Sequence, residues 1–440
     1  MEWQQLINDK RLGMEEYHDP RHHTRSDFRR DYDRLVFSSP FRRLQNKTQV
    51  FPLPGSVFVH NRLTHSLEVS SVGRSMANEA AILLLDRHKD QPWAHKLYHI
   101  GDITATACLC HDLGNPPFGH SGEKTISTYF SEGKGLALQE RLTPVQWSDL
   151  TNFEGNANSF RLLTHRFVGR RPGGFAMTYS SLAAIVKYPH SSSHAGKKGK
   201  FGFFDSEKEI FSRVANELEI PQIAPGKFVR HPLVWLMEAA DDICYQIMDL
   251  EDAHRLRILS TDEVASLLLS FFDSDRRDRC VNSMKRLDDP NEQIGYLRSR
   301  VIGKLVASCA EVFVGNEDAI LSGDFKESLV SQTPDLVRDA YDGVAEVARD
   351  RIYCSSDVVD IEIAGNRIIT YLMDVLMDAA LNPERNFSKL LLGKVPQQYD
   401  IQSVDLYTRI QAVLDHISGM TDVYALDLFR KLNGHSLPQV

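Results

Sequence analysis

Apolar residues recur at helical spacing along most of the chain. In the segment 63–88, the apolar positions of one predicted helix face are Leu67, Val72, Met76, Ala80 and Leu83 or Leu84. This spacing of roughly three to four residues is typical of a buried helix face. A second segment, residues 102–112, is small and apolar enough to be buried on most sides. Gly114, Pro116 and Pro117 follow it and predict its end.

The remaining pattern is also mainly helical. A third helix is predicted to begin near His231 and Pro232 and to run to about residue 256, and later periodic stretches cover 261–272, 291–315, 325–350, 366–381 and 404–432. Strand-like alternation is confined to short pieces such as "VVDIEIAG", residues 358–365. The polar, glycine-rich segment 191–202 predicts a mobile surface loop. We therefore expect a mainly α fold with minor short β-hairpins.

Length and composition set the scale of this fold. The chain has 440 residues, of which 42% are hydrophobic and 25% charged, and a domain averages about 150 residues. A soft boundary near residue 260 carries no Pro/Gly/Ser linker, so we expect a core of residues 1–260 and a C-terminal helical region of residues 261–440 packed on it as one body. The apolar runs fall short of the roughly 20 residues that a membrane helix needs. The charged N-terminus lacks a signal-peptide pattern, which predicts a cytoplasmic protein.

Charge and cysteine content narrow the function classes only a little. The formal net charge of −8 argues against a globally basic nucleic-acid binder, although local basic clusters could still contact phosphates. The six cysteines include no C-x-x-C pair. Reduced, buried thiols are therefore favoured over a redox or zinc role.

Candidate chemistry is concentrated in "HDLGNPPFGHSGE", residues 111–123. His111 and Asp112 end a buried helix, where an imidazole beside a carboxylate needs a partner or a cation because unpaired buried charge is costly. On the third helix, one face carries Asp241, Tyr245 and Asp249 at positions i, i+4 and i+8. That face either lines a site or is a solvated stripe.

A metal centre is the interpretation that explains these residues together. His65 stands where a polar loop enters a helix and is by itself either a capping or core residue or a ligand. Together His65, His111, Asp112 and Asp241 offer a nitrogen and oxygen ligand set. Such a set suits Mn²⁺, Fe²⁺, Co²⁺, Ni²⁺ or Mg²⁺ better than a structural thiolate zinc site. A catalytic metal is therefore predicted.

A family resemblance extends this reading from about residue 40 to the C-terminus. Its matching stretches are "RRLQNKTQVFPL", "RLTHSLEV", "CLCHDLGNPPFGHSGE", "NFEGNANSFRLL", "VKYP", "WLMEAADDICYQIMDLEDA" and "ISGMTDVYA". The pattern H…HD…D within them resembles the HD-domain metal-dependent phosphohydrolases, and specifically their deoxyguanosine triphosphate triphosphohydrolase branch. The resemblance implies an HD-domain helical core with additional C-terminal helices.

The resemblance also implies roles for the residues around the metal. It makes His65, His111, Asp112 and Asp241 the ligands and leaves Asp242 outside the first shell. It makes His120 and Glu123 a catalytic pair, one helical turn apart, in which Glu123 orients the imidazole.

The implied reaction is attack of water on the α-phosphorus of a deoxynucleoside triphosphate, foremost dGTP, giving deoxynucleoside and inorganic tripolyphosphate. The implied metal is Mn²⁺, Mg²⁺ or Co²⁺, with Ni²⁺ or Fe²⁺ as further candidates. His120 either protonates the departing 5′-oxygen or helps to activate the nucleophile.

The substrate contacts implied by the resemblance come from several parts of the chain. Phosphate ligands would be Arg62, Lys187 and Arg409, since a polyanion requires cationic groups. Tyr188 and Asn156 match further pocket positions, and Gln49 and Asp249 match positions that hold the sugar 3′-hydroxyl. Tyr245 would pack against C2′ and leave no room for a ribose hydroxyl. Arg409 rests on a single match in a weaker block, and a solvated surface arginine is the alternative.

The family further implies a homo-oligomer, with a hexamer as the expected form, and single-stranded DNA as a candidate partner. The chain departs from the family in a short segment 124–151 and a glycine- and lysine-rich segment 190–202, which leaves base preference and regulation open. Two alternatives remain for the function. One is an HD-type phosphodiesterase or 5′-nucleotidase, and the other is a nucleic-acid-binding regulatory protein with a vestigial site.

Overall fold

The structure is a computed structural model that describes residues 1–16, 25–51 and 59–435. Pro52 and Leu53, which end the first matching stretch, lie outside the described residues. Most of the described chain is helical, which confirms the prediction of a mainly α fold. The helices of the first half are α1 (Trp3–Leu6), α2 (Asp27–Val36), α3 (Ser39–Arg43), α4 (Arg62–Arg87), α5 (Ile100–Cys110), α6 (Gly119–Ser131), α7 (Pro144–Thr151), α8 (Gly155–Thr164), α9 (Tyr179–Ile185) and α10 (Lys208–Glu217).

The second half of the described chain is also mainly helical. Its helices are α11 (Leu233–Arg255), α12 (Thr261–Leu269), α13 (Ser274–Met284), α14 (Pro290–Gly315), α15 (Glu317–Ser322), α16 (Asp335–Val347), α17 (Ser356–Leu381), α18 (Asn386–Leu392), α19 (Leu406–Ser418) and α20 (Asp422–Leu432). A π-helical turn, Ala348–Ile352, follows α16. Short 3₁₀ turns are Leu44–Asn46, Ala94–His99, Lys134–Arg141, Ser192–His194, Gly196–Lys198, Asp205–Glu207 and Val330–Gln332. An antiparallel hairpin pairs β1 (Gln222–Ala224) with β2 (Lys227–Phe228).

The strand prediction for residues 358–365 is wrong, because this segment forms the first turns of α17. The helix continues through Gly365, which ends this segment, and is anchored by the burial of Ile369, Leu372 and Met373 further along. Tertiary packing of that apolar face outweighs the local β-branched alternation.

Helix boundaries differ from the periodic pattern in the C-terminal half. The stretch 404–432 is two helices, because α19 ends at Ser418 and Thr421 caps α20 by accepting the N–H of Tyr424. The stretch 325–350 contains α16 only from Asp335, and α13 was not predicted. The break before α20 places Asp422 in the first turn of a helix, where its carboxylate can reach neighbouring loops.

The buried face of α4 also differs in detail from the predicted one. Leu67 and Leu83 are exposed, whereas Val69 and Leu84 are fully buried with Met76 and Ala80. This face packs against α5, α11 and α14. Residue spacing therefore identified the helix and most of its buried face, because Val72, Met76, Ala80 and Leu84 are buried as predicted and only Leu67 is not.

Two hydrophobic clusters make up the interior of the described part of the chain. The larger cluster joins α4, α5, α11 and α14, and the smaller one joins α6 and α8 to α17, α19 and α20. The chain passes from the larger cluster to the smaller one between α5 and α6, in residues 111–118. The segment with the most chemistry in the sequence is therefore the connection between the two clusters.

Cysteine and membrane features complete the description. All six cysteines lie within the described residues and are free thiols; Cys354 is exposed and the other five are buried. Among the described residues, none of the helices combines the length and the hydropathy that crossing a bilayer requires.

The helical assignment of residues 358–365 generates a test with two isoleucines of the same helix. Ile369 is fully buried in the smaller cluster, whereas Ile363 is 65% exposed. We expect Ile369→Ala to lower the free energy of unfolding by about 2–4 kcal/mol, because it removes buried methyl groups and leaves a cavity. Ile363→Ala should change it by less than about 0.5 kcal/mol. Equal losses in chemical denaturation would contradict this orientation of α17.

Candidate active site

The start of α4 brings two site residues into the interior. Asn61 caps the helix by accepting the N–H of Thr64, and the Thr64 hydroxyl accepts the N–H of Asn61 in return. This capping box fixes where the helix begins. Arg62 and His65 fall in its first turn, and both are buried.

Two histidines and one aspartate from three helices converge on one point. His65 Nε2 lies 3.2 Å from Asp241 Oδ1, and His111 Nε2 lies 3.4 Å from the same oxygen. One potential ligand atom from each residue lies within 4.8 Å of the others. The nitrogen and oxygen donors fit a divalent metal ion. The structure therefore brings together three of the four predicted ligands in a cluster supplied by α4, α11 and the C-terminal end of α5.

The hydrogen bonding of His111 supports a ligand role. Its Nδ1 donates to the carbonyl oxygen of Cys108 at 2.6 Å, which leaves Nε2 as the nitrogen that faces the cluster, and this buried atom has no hydrogen-bond partner among the described residues. A backbone acceptor on the other ring nitrogen is the usual way to orient a metal-binding histidine. Burial opposes the charged form, but Asp112 and Asp241 outweigh it and raise the pKa of His111 to about 9. An extra positive charge is thus favoured at this position.

Asp112, the fourth predicted ligand, lies beside this cluster. Its Oδ2 is 3.6 Å from His111 Nε2 and accepts a hydrogen bond from Arg62 Nη1 at 2.7 Å. Its Oδ1 accepts from the side chain of Asn115 at 2.5 Å. Burial acts to raise the pKa of Asp112, but the positive charges of Arg62, His111 and His65 together outweigh burial and lower this pKa. Asp112 is therefore a carboxylate with a fixed orientation at the edge of the cluster.

The turn after Asp112 reverses through two left-handed residues. Phe118 has φ of 62° and Gly119 has φ of 56°. A Cβ on Gly119 would lie 2.4 Å from Arg62 Nη2, and one on Gly122 would lie 2.2 Å from the carbonyl oxygen of Pro117. The glycines of this motif are therefore required by close packing as well as by backbone conformation.

The turn delivers His120 and Glu123 at the start of α6. A hydrogen bond of 2.8 Å joins His120 Nδ1 to Glu123 Oε2, and Glu123 Oε1 accepts the N–H of Gly155 at 2.7 Å. His120 is exposed in the cleft, whereas Glu123 is buried. The hydrogen bond and charge of Glu123 raise the pKa of His120. The pair is therefore an oriented imidazole with a stabilised cationic form, separate from the histidine cluster.

A cavity of about 230 Å³ lies between these groups. Its lining residues are Gln49, Arg62, His111, Asp112, Asn115, His120, Glu123, Asn156, Lys187, Tyr188, Lys200, Met237, Asp241 and Tyr245. Most of the predicted substrate contacts line this cavity. The buried Oε1 of Gln49 has no hydrogen-bond partner among the described residues, which leaves an acceptor available.

Two predicted substrate residues lie outside the lining. Asp249 is buried behind the cavity, where its Oδ2 accepts a hydrogen bond from the Tyr353 hydroxyl at 2.8 Å. Burial raises the pKa of Asp249 to about 8. Arg409 is turned away, and its guanidinium donates to the carbonyl oxygen of Ser403 at 2.7 Å and 2.9 Å. The structure does not bring Arg409 to this cavity.

Lys200 is a cavity residue that the sequence analysis missed. The segment 191–202 was predicted to be a mobile surface loop, but Ser191, Ser192 and Phe201 are buried. Lys200 Nζ lies 2.5 Å from Glu154 Oε1 and 4.0 Å from Glu123 Oε2. The alternation of glycine and phenylalanine after Lys200 was the available signal, because buried aromatic residues anchor a segment that is otherwise polar.

Tyr353 is a second missed residue. It follows the π-helical turn, and its ring stacks on Tyr245 with centroids 5.5 Å apart. It thus supports both Tyr245 and Asp249 from behind the cavity. A π-helical turn locally shifts the direction in which successive side chains point. Hydrophobic periodicity therefore gives little information about the residue that follows such a turn.

The fold and this site define an HD-domain protein. Residues 62–142 match the HD domain, and residues 331–431 match the phosphohydrolase-associated domain. The deoxyguanosinetriphosphate triphosphohydrolase-like proteins of Synechocystis sp. and Pseudomonas aeruginosa are 39% and 35% identical over 99% and 100% of this chain, and over the whole of each relative. The deoxyguanosinetriphosphate triphosphohydrolase of Klebsiella pneumoniae is 31% identical over 92% of this chain and 93% of that protein. The chain belongs to the deoxyguanosinetriphosphate triphosphohydrolase family and is a hydrolase.

The close approach of Gly119 to Arg62 can be tested against a second glycine. Gly196 has a similar positive φ of 60°, but a Cβ there would meet nothing within 4 Å. We expect Gly196→Ala to cost only the left-handed backbone penalty of about 1–2 kcal/mol. Gly119→Ala should cost more in thermal unfolding, because the added methyl group also displaces Arg62. Equal losses for the two variants would contradict the close approach.

Proposed function

We propose that this protein hydrolyses deoxynucleoside triphosphates, foremost dGTP, to deoxynucleoside and inorganic tripolyphosphate by water attack at the α-phosphate. One observation carries the proposal. We call His65, His111 and Asp241 the metal-type cluster. The same cavity is lined by two residues of this cluster, by the His120–Glu123 pair and by three cationic side chains. This combination suits a polyanionic substrate that is hydrolysed next to a metal. The names of the full-length relatives support the substrate class.

His65, His111 and Asp241, with Asp112 beside them, are the residues that would hold the metal. When bound, Mn²⁺, Mg²⁺ or Co²⁺ would neutralise phosphate charge and lower the pKa of water, and Ni²⁺ and Fe²⁺ remain candidates on the same ligand types. Asp112 is held by Arg62 and Asn115. These contacts keep its carboxylate oriented toward the cluster.

His120 would handle a proton at the reacting phosphate. Its Nδ1 is bonded to Glu123, so Nε2 is the ring nitrogen left to face the cleft. An imidazole whose cation is stabilised can donate a proton to the departing 5′-oxygen, and in its neutral form it can accept one from water. Glu123 supports both roles by orienting the ring.

Three cationic side chains would bind the phosphates. Arg62, Lys187 and Lys200 are each paired with a carboxylate in this structure: Asp112 at 2.7 Å, Glu238 at 3.2 Å and Glu154 at 2.5 Å. Each pair keeps a cation ordered at the cavity. The triphosphate would then bind to side chains that the ion pairs already hold in place. Because these side chains need not be ordered on binding, the entropic cost of binding is lower.

Selection for deoxyribose would come from steric exclusion, in contrast to the ionic contacts with the phosphates. Tyr245 would occupy the space next to C2′, and Tyr353 stacked behind it resists displacement. Gln49 has an available acceptor for a sugar hydroxyl, and Asp249 carries a carboxyl that burial keeps largely protonated at neutral pH. A ribose 2′-hydroxyl would be excluded by shape.

Product analysis tests this function. Purified protein is incubated with each dNTP and rNTP in Mg²⁺, Mn²⁺ or Co²⁺, singly and in mixtures, and nucleoside is separated from tripolyphosphate. We expect tripolyphosphate from dNTPs, strongest with dGTP. His120→Ala should abolish turnover while metal and nucleotide binding persist, and the exposed His95→Ala serves as the control. Release of orthophosphate or pyrophosphate would favour the phosphodiesterase or nucleotidase alternative. No release with any metal would contradict the proposal.

The pH profile identifies the role of His120. Because Glu123 raises the pKa of His120, Glu123→Gln should lower that pKa and move the corresponding limb of the kcat profile to lower pH. A shift of the alkaline limb would assign His120 as a general acid, and a shift of the acidic limb would assign it as a general base. The exposed Glu132→Gln is the matched control. A profile in which neither limb moves would remove the pair from the rate-determining proton transfer.

A further inference from the structure

Asp422, in the first turn of α20, is a buried carboxylate outside the cavity lining. It is 5% exposed. Its Oδ2 accepts the backbone N–H of Thr48 at 2.8 Å, and its Oδ1 accepts the backbone N–H of Phe118 at 3.0 Å. One side chain from the C-terminal helices therefore joins two loops that lie far apart in sequence.

Both of these loops carry cavity residues. Thr48 directly precedes Gln49, and Phe118 lies two residues before His120. Phe118 also has a positive φ, a conformation that an L-residue adopts at a cost of about 1–2 kcal/mol unless its surroundings hold it. The charge-assisted hydrogen bond from its N–H to Asp422 offsets that cost.

Lys47 reinforces the same junction. Its Nζ donates to the carbonyl oxygen of Asn115 at 2.5 Å and to that of Ser418 at 2.7 Å, and the side chain is 2% exposed. Burial lowers the pKa of Lys47 to about 7, and the nearby Asp422 opposes that shift. The segment 47–49, the turn 115–119 and the junction 418–422 are thus joined by four hydrogen bonds, of which three are buried and the one from Phe118 is partly buried.

We propose that Asp422, assisted by Lys47, is a positioning residue that sets the placement of Gln49 and His120 relative to each other in the cavity. The proposal rests on the function proposed above, because it assigns these two residues to the sugar and the phosphate of one substrate. Asp422 acts through the backbone of Thr48 and Phe118 and does not touch the substrate. The metal-type cluster comes from α4, α5 and α11, so it should not depend on Asp422.

The size of the expected effect follows from geometry. A displacement of about 1 Å in a catalytic group can reduce turnover by as much as 100-fold. Releasing the Phe118 N–H lets the left-handed turn relax, and His120 moves with it. Releasing the Thr48 N–H moves Gln49 in the same way. Loss of Asp422 should therefore lower kcat strongly without loss of the folded state.

The test compares Asp422→Asn with Asp427→Asn on the same helix. Asparagine keeps the size of Asp422 but replaces one of its two acceptor oxygens with an N–H donor. Asp427 is half-exposed and pairs only with Lys431 among the described residues, at 2.6 Å. We expect Asp422→Asn to lower kcat for the dNTP about 10- to 100-fold, with Mn²⁺ affinity unchanged. Amide hydrogen exchange should become faster in segments 47–49 and 115–119. The control should leave all three quantities unchanged.

A double variant separates positioning from general destabilisation. If Asp422 acts through the His120–Glu123 pair, Asp422→Asn should lower kcat by a smaller factor in a Glu123→Gln background than in the wild type. The free-energy effects of substitutions at coupled residues are not additive. If Asp422→Asn acted only by destabilising the fold, the kcat reductions of the two substitutions would multiply in the double variant. If Asp422→Asn does not fold, Lys47→Met replaces it, with faster exchange expected at residues 115–119.

The outcomes are distinct. A kcat for Asp422→Asn equal to that of Asp427→Asn, or full additivity with Glu123→Gln, would overturn the positioning role. Unchanged exchange in both segments would overturn the junction itself, and this measurement requires no turnover. Wild-type protein that releases no tripolyphosphate would contradict the proposed function, while the exchange comparison would still decide whether Asp422 holds the two loops.

Discussion

The left-handed turn at Phe118 and Gly119 is the constraint on which the site depends. It lies where the chain leaves the larger hydrophobic cluster and enters the smaller one. His111 and Asp112 precede the turn and lie in or beside the cluster of His65, His111 and Asp241, whereas His120 and Glu123 follow it and form a hydrogen-bonded pair. Arg62 packs against Gly119 so closely that a Cβ there would lie 2.4 Å from Arg62 Nη2 and displace the guanidinium. The backbone reversal, more than any side-chain contact, lets two pairs of neighbouring residues face one cavity from different directions.

Three cationic side chains that line the cavity are each paired with a carboxylate in this structure. Arg62 pairs with Asp112, Lys187 with Glu238, and Lys200 with Glu154, and each pair is partly or fully buried. Burying one partner alone would be costly, since an unpaired charge loses its hydration. The pairs therefore keep cations at the cavity wall in the absence of a polyanion. The pKa values of His111 and His120 are raised for a related reason, because each imidazole lies against carboxylates that stabilise its charged form.

The parts of the fold that were predicted correctly have strong local signals. α5 and α11 begin and end close to the predicted residues, because proline, glycine and apolar spacing mark their limits. The strand predicted at residues 358–365 failed because α17 is stabilised by apolar residues beyond that segment. The surface-loop prediction for residues 191–202 failed because burial of Phe201 and Phe203 anchors a segment whose own composition is polar. The periodic stretch predicted over 404–432 carried no signal for the break at which Thr421 caps a new helix.

The sequence by itself determined which functional groups the site can offer. The histidines, carboxylates and glycines of residues 111–123, with His65 and Asp241, supply the candidate ligand types and the residues that break the helix, because those properties belong to residue type and local spacing. Only the tertiary structure decided which groups share a cavity. It brought Lys200 into the cavity, placed Tyr353 behind Tyr245, and turned Arg409 toward Ser403. It also placed Asp422 against two loops distant in sequence. Such contacts depend on how helices pack across long sequence separations, and hydrophobic periodicity does not encode which distant side chains meet.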